Sequence, residues 1–161
     1  MSLKRRISVF YIEDSTISSV ITDHKLREIA DFRIYPYCSA EVAFKDLYFN
    51  PDVIILDYIL PGMNGLQAIQ KFKQTYPEIP IIMLSGQQNI DVIIDVMRAG
   101  ACEYMSKKNF SARELYEKIC SIYDQKQHEK KKHLLEMAIK KILFLSFFIL
   151  LFSVIVWYKL K

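Results

Sequence analysis

Glu13 and Asp14 follow the apolar run 7–12, Asp57 follows 53–56, Ser85 follows 80–84, and Lys107 lies just past 101–105. Three carboxylates gathered at one place repel one another, and without compensation at least one pKa must rise. A hard divalent cation relieves that repulsion, and an open oxygen-lined site suits Mg²⁺ with several waters retained. A lysine and a hydroxyl facing the same pocket suit a phosphoryl group, the ammonium neutralising charge and the hydroxyl donating a hydrogen bond. Asp57, between them, is placed to act as a nucleophile that forms an aspartyl-phosphate. Plainer roles compete: Glu13 and Asp14 as acids at a helix start, Asp57 and Ser85 as turn residues, Lys107 and Lys108 as solvated lysines.

The elements that must position these residues are legible. Residues 7–12 read as a buried strand. Apolar residues at 17, 20, 21, 26 and 29 form a helical stripe over 15–29. Residues 32–37 read as a second strand, which Pro36 confines to a sheet edge. Ser39 caps a helix carrying Val42, Ala43, Phe44 and Leu47. The unbroken apolar run 53–56 suits a central parallel strand buried on both faces. Pro61, Gly62, Asn64 and Gly65 make a turn, and Leu66, Ile69 and Phe72 mark a third helix. Strand 80–84, helix 89–99 closed by Gly100, strand 101–105 and a last helix opened by Ser111 follow. Five strands alternating with five helices mean a parallel sheet covered on both faces. In such sheets chemistry collects at the carboxyl ends of the strands, where the five polar residues fall.

In that order and spacing, residues 12–15 (IEDS), 53–57, 61–65 (PGMNG), 84–86 (LSG) and 103–107 (EYMSK) resemble a bacterial two-component response-regulator receiver domain. The resemblance covers roughly residues 5–125. It implies a flavodoxin-like, doubly wound α/β sheet in the order 2-1-3-4-5. It implies that Asp57 accepts phosphate from a phosphohistidine on a sensor histidine kinase or phosphotransfer protein. Asp14 and Asp57 would bind Mg²⁺ directly, Glu13 through water, and the backbone carbonyl of Ile59 would complete the protein ligands. Ser85 and Lys107 would stabilise the phosphoryl group. Tyr104 would turn inward when Ser85 moves, signalling to the face of helix four, strand five and helix five, through which the family commonly dimerises. No enzymatic activity is implied beyond self-catalysed acceptance and loss of phosphate.

One departure stands out. The family usually has proline after the lysine, often through a cis bond, and here Lys108 follows. A cis bond before a non-proline residue costs about 3–4 kcal/mol, so a trans bond or a strained cis bond is expected. Rival chemistries fit poorly. A haloacid-dehalogenase-type phosphatase needs an acid two residues after its nucleophile, where Ile59 stands. The Glu13–Asp14 pair would repel the phosphate of a flavin, and no P-loop or G-x-G-x-x-G is present.

Charge divides the chain. Residues 1–125 hold 14 Lys/Arg and 16 Asp/Glu, net −2; residues 126–161 hold 8 and 2, net +6; together they give the +4 of the whole. A mildly acidic domain argues against a nucleic-acid partner. Cys38, Cys102 and Cys120 are odd in number and form no C-x-x-C pair, which suits reduced thiols packed as small apolar residues. The basic start at 1–14 is interrupted by acids too soon for a signal peptide.

The expected layout is a receiver over 1–125, a basic helical linker over 126–141 and a transmembrane helix over 142–158. The last stretch holds seventeen residues without a charge, thirteen of them Leu, Ile, Phe or Val. As a helix it is about 26 Å long against a hydrocarbon core of about 30 Å. Those thirteen residues favour insertion by roughly 4 to 8 kcal/mol. Lysines 130–132, 140 and 141 precede it and only 159 and 161 follow. The positive-inside rule then makes the chain a single-pass membrane protein, its receiver cytoplasmic and its C-terminus outside. Membrane lipid is an expected partner, and helix pairing in the membrane a second route to a homodimer.

Overall fold

A computed structural model describes residues 6–108 and 111–160, without the side chains of residues 150, 151 and 154. The chain divides into two compact units, Met1–Tyr123 and Asp124–Lys161. Five strands lie in the first: β1 (Ser8–Ile12), β2 (Arg33–Tyr37), β3 (Val53–Leu56), β4 (Ile81–Ser85) and β5 (Glu103–Ser106). They form one parallel sheet in the order β2-β1-β3-β4-β5. The helices are α1 (Thr16–Ile29), α2 (Ala40–Asp46), α3 (Gly65–Thr75), α4 (Ile90–Arg98) and α5 (Ala112–Lys159).

Strand alternation sorts the core into two layers. Phe10, Ile12, Ile54, Leu56, Ile81 and Met83 face one layer, with Ala43 of α2, Ala68, Ile69 and Phe72 of α3, and Val96 of α4. Val9, Tyr11, Val53, Ile55, Ile82 and Leu84 face the other, with Leu26 of α1 and Leu115 and Ile119 of α5. β3 is buried at all four residues, as its apolar run predicts. β2 is the edge strand, where the missing N–H of Pro36 is tolerated.

Caps set the helix starts. Ser15, Ser39 and Asn89 each accept a backbone N–H from the following turn, of Ser18, Val42 and Asp91. Asn64 and Gln67 exchange side-chain and backbone hydrogen bonds in a capping box that opens α3. Gly100, at φ +109°, closes the turn after α4.

One expectation is corrected and two features are new. The stripe lies on helix α1 as expected, but along it Leu26 and Thr22 are buried while Ile17, Val20, Ile21 and Ile29 are exposed. Cys38 and Cys102 are exposed and Cys120 is half-buried, so the thiols are free but not packed in the core, although the Cys102 thiol donates to the Ile81 carbonyl at 3.0 Å. A 3-10 turn at Leu47–Phe49, ended by Asn50 in the left-handed region at φ 52°, was not foreseen between α2 and β3.

The expected transmembrane helix is not found: among the described residues no helix is long and apolar enough to cross a membrane. The uncharged run 142–158 is bounded by Lys141 and Lys159, and its residues 150, 151 and 154 lie outside the described side chains. In the second unit the described apolar side chains, Ile142 to Phe148 and Phe152 among them, are exposed.

Candidate functional site

The carboxyl ends of β1, β3, β4 and β5 bring the five polar residues to one edge of the sheet. Glu13 remains in the ladder, its N–H donating to the Tyr37 carbonyl at 2.9 Å. Its side chain therefore keeps strand alternation with Tyr11 and is buried, while Asp14 is exposed. The Asp57 N–H donates to the Ile12 carbonyl at 3.0 Å, which anchors β3 beside β1 at the pocket.

Carboxylate oxygens of Glu13, Asp14 and Asp57 all lie within 4.8 Å of one another. Three hard oxygen donors of which one faces solvent fit Mg²⁺, which keeps part of its water shell. The Lys107 ammonium donates to Asp57 Oδ2 at 2.5 Å and to Glu13 Oε2. Burial pushes the Glu13 carboxyl up, and hydrogen bonding and charge from Lys107 only partly offset this. Burial by itself would lower the Lys107 pKa, but its hydrogen bonds to Asp57 and Glu13 outweigh burial and raise it.

Asp57 Oδ1 accepts the Tyr58 N–H at 2.6 Å and the Ile59 N–H at 3.4 Å. The turn beyond is held by close backbone approach. Gly65 N–H donates to the Tyr58 carbonyl at 2.8 Å, and a Cβ on Gly65 would stand 2.7 Å from Tyr58 Cα and 2.8 Å from the Asp57 carbonyl oxygen. Gly62, at φ +75°, passes beside Glu41, whose carboxylate accepts the Met63 N–H at 2.8 Å. Backbone N–H groups of Glu41 and Met63 hold the Glu41 carboxyl below its usual range.

Ser85 is fully buried, and its hydroxyl accepts the Gln87 N–H at 3.3 Å. Its carbonyl accepts the Lys107 N–H at 2.9 Å, which ties β4 to the end of β5. The Tyr104 hydroxyl donates to the Gln87 carbonyl, and burial pushes its pKa up. Tyr104 thus already reaches the segment after Ser85. The Lys107–Lys108 bond is trans, no cis peptide bond being present among the described residues. Lys108 is exposed, and its ammonium stands 3.4 Å from Gln88 Oε1.

A family model described as "Response regulator receiver domain" matches residues 9–120. The chain belongs to that family. It is 32% identical over 111 residues to a protein-glutamate methylesterase/protein-glutamine glutaminase of Gluconobacter oxydans (strain 621H), covering 66% of this chain and 31% of that protein. It is 31% identical over 88 residues to the DNA-binding transcriptional regulator NtrC of Escherichia coli (strain K12), covering 53% of this chain and 19% of that protein. The receiver thus spans under a third of the length of these relatives.

Among solved structures, the signal receiver domain of a putative LuxO repressor protein from Vibrio parahaemolyticus has the same fold. Its TM-score is 0.72 at 20% identity, covering 78% of this chain and 96% of that chain. A putative response regulator from Chloroflexus aurantiacus J-10-fl matches with a TM-score of 0.68 at 27% identity, covering 74% and 99%.

Glu13, Asp14, Asp57 and Lys107 thus come from separate segments into one cluster, while Ser85 and Tyr104 meet at the Gln87 backbone beside it, Ser85 also through its carbonyl to the Lys107 N–H. Ile59 lies beside it on the turn after β3, its N–H toward Asp57. Sequence reasoning missed Tyr11, whose hydroxyl donates to Glu13 Oε2 at 3.4 Å, and Glu41, which braces the turn after Asp57. Strand alternation two residues before Glu13 is the signal that points to Tyr11. No local pattern points to Glu41.

Proposed function

We propose that the chain is a phosphoacceptor in a two-component phosphorelay, with Asp57 as the residue phosphorylated. The observation that carries this reading is the Lys107 ammonium joined to both Asp57 and Glu13 in a pocket where Asp14 adds a third carboxylate. A carboxylate oxygen of Asp57 attacks the phosphorus of a donor, the Asp57 O–P bond forming as the donor's N–P or O–P bond breaks. Asp14, Asp57 and the Ile59 carbonyl would hold Mg²⁺ directly and Glu13 through water, and the ion would neutralise charge on the transferring phosphoryl group. Lys107 exchanges a carboxylate for a phosphoryl oxygen, and the buried Ser85 hydroxyl donates to another. Tyr104, already bonded to the Gln87 carbonyl, carries the change to the outer face of α4, β5 and α5.

A sensor histidine kinase or phosphotransfer protein is the proposed donor. Ile17, Val20 and Ile21 support a protein partner beside the pocket, since they are exposed on the helix that begins two residues after Asp14. Ile90, Ile94 and Met97, exposed on α4, support a partner or second copy on the output face. The test uses the full chain with Mg²⁺ and acetyl phosphate. One phosphoryl group is expected on the wild type and none on Asp57→Asn; an adduct that survives Asp57→Asn overturns the reading, and no adduct on the wild type leaves a receiver-like scaffold in its place. If Asp57→Asn takes no phosphate yet captures the same partners as the phosphorylated wild type, the chain acts as a phosphate sink.

The second part of the reading concerns location. An uncharged run of seventeen residues whose described apolar side chains are exposed favours a lipid environment. We assign a single-pass membrane anchor over 142–158, with the receiver cytoplasmic. Retention in the membrane pellet at high salt and high pH is expected, and release into the supernatant counts against it.

A further inference from the structure

Beneath the acidic pocket lies a pair of hydroxyls that the phosphoacceptor reading does not use. Tyr11 is 2% exposed and Thr22 is 5% exposed. Tyr11 stands on the β1 face that packs Val9, Val53, Ile55 and Leu84 against α1 and α5. A hydroxyl buried in such a layer is costly unless it is hydrogen-bonded, so its partners matter. The Tyr11 hydroxyl donates to Glu13 Oε2 at 3.4 Å, and Thr22, buried on α1, faces the Tyr11 hydroxyl closely enough to favour its ionised form against the larger effect of burial. A chain of contacts thus runs from α1 through β1 into the pocket: Thr22, Tyr11, Glu13, Lys107, Asp57.

We infer that Tyr11, braced by Thr22, is a positioning residue that holds the Glu13 carboxylate in place for the metal when Lys107 turns to the phosphoryl group. The inference rests on the phosphoacceptor reading and deepens it. Glu13 is bonded by two kinds of partner. Lys107 is half-buried, its side chain 25% exposed at the pocket mouth, and is shared with Asp57. Tyr11 belongs to the sheet core, and the Ser15 N–H donates to Glu13 Oε1 at 3.4 Å. When the ammonium leaves, the core hydroxyl and the Ser15 N–H remain, one on each oxygen. Partners behind a metal-binding carboxylate orient it, and their loss commonly costs tenfold or more in metal affinity.

The test titrates the full chain with Mg²⁺ alone by isothermal calorimetry and follows phosphorylation by acetyl phosphate at saturating Mg²⁺. Tyr11→Phe is expected to weaken Mg²⁺ binding about tenfold while the rate at saturating Mg²⁺ stays near that of the wild type. Thr22→Val moves affinity the same way by a smaller factor. In a Glu13→Gln background, where Asp14 and Asp57 still bind the ion, Tyr11→Phe adds nothing. Unchanged affinity in Tyr11→Phe and Thr22→Val overturns the inference, as does an equal loss with and without Glu13→Gln. Should Tyr11→Phe fail to fold, Thr22→Val alone decides by the same criterion. A wild type that binds no Mg²⁺ overturns both this inference and the metal site; a wild type that binds it beside unchanged variants overturns this inference only.

Discussion

Lys107 donates to Asp57 Oδ2 at 2.5 Å while the same ammonium also bonds Glu13, so one cation bridges carboxylates at the ends of β1 and β3. Removing it leaves two buried acids facing each other. Lys107→Ala is expected to destabilise the fold by about 2 kcal/mol, below the range for a fully buried pair because the lysine is part-exposed. Millimolar Mg²⁺ should restore much of the loss. Urea unfolding with and without Mg²⁺ measures both, and a variant as stable as wild type without Mg²⁺ contradicts the bridging role.

Gly65 touches the Asp57 and Tyr58 backbone so closely that no side chain fits. A Cβ there meets Tyr58 Cα at 2.7 Å and the Asp57 carbonyl oxygen at 2.8 Å, atoms that cannot swing aside. Gly65→Ala is expected to cost about 2 kcal/mol through overpacking and to slow phosphorylation by displacing Asp57. Thermal melts and acetyl-phosphate kinetics check the pair of effects. Normal stability and normal kinetics together would show that the turn yields.

The Tyr104 hydroxyl has the Gln87 carbonyl as its partner. Tyr104→Phe removes that bond and is expected to cost about 1 kcal/mol. Asp57 should still accept phosphate, because the Tyr104 hydroxyl bonds the Gln87 carbonyl and neither Asp57 nor Lys107. What should fall is the difference between the phosphorylated and unphosphorylated chain in binding its partner, read by pull-down. A slowed transfer with unchanged partner binding would place Tyr104 in the chemistry instead.

Far from the pocket, Lys73 donates to the Pro77 carbonyl at 3.0 Å and the Ile79 carbonyl at 2.7 Å. Lys73→Met is expected to destabilise by about 1 kcal/mol at neutral pH. Burial lowers the Lys73 pKa, so between that value and the ordinary lysine value of about 10.4 the unfolded chain binds more protons than the folded one. Stability from this group therefore rises with pH in that window. The gap between wild type and Lys73→Met should widen as pH is raised toward the upper bound. A gap that narrows contradicts the sign.

Much of the fold was legible because each strand carries its environment in its pattern. Residues 53–56 are uninterrupted apolar residues because both faces of β3 are covered. Pro36 announced an edge because only an edge tolerates its missing N–H. The α1 stripe marked the helix but not its surroundings: apolar spacing records that residues share a face, not whether that face meets core or solvent, and Ile17 is 74% exposed. The 3-10 turn at Leu47–Phe49 carries no periodic signal, and Asn50 supplies its left-handed stop only in context.

For the site, the sequence by itself determined which chemical groups stand at the ends of the strands. Residue type and strand length alone place Glu13, Asp14, Asp57, Ser85 and Lys107 at one edge of a parallel sheet, and the matching family covers that whole stretch. Tertiary structure decided how those groups share their partners. Glu13 is buried and Asp14 exposed because the Tyr37 carbonyl keeps Glu13 in the ladder. Lys107 bridges two acids because the Ser85 carbonyl holds its N–H beside β4. Tyr11 and Thr22 meet because α1 packs over β1, on the layer that holds Leu26. Such pairings follow from register and packing between distant segments, so no local stretch of sequence encodes them.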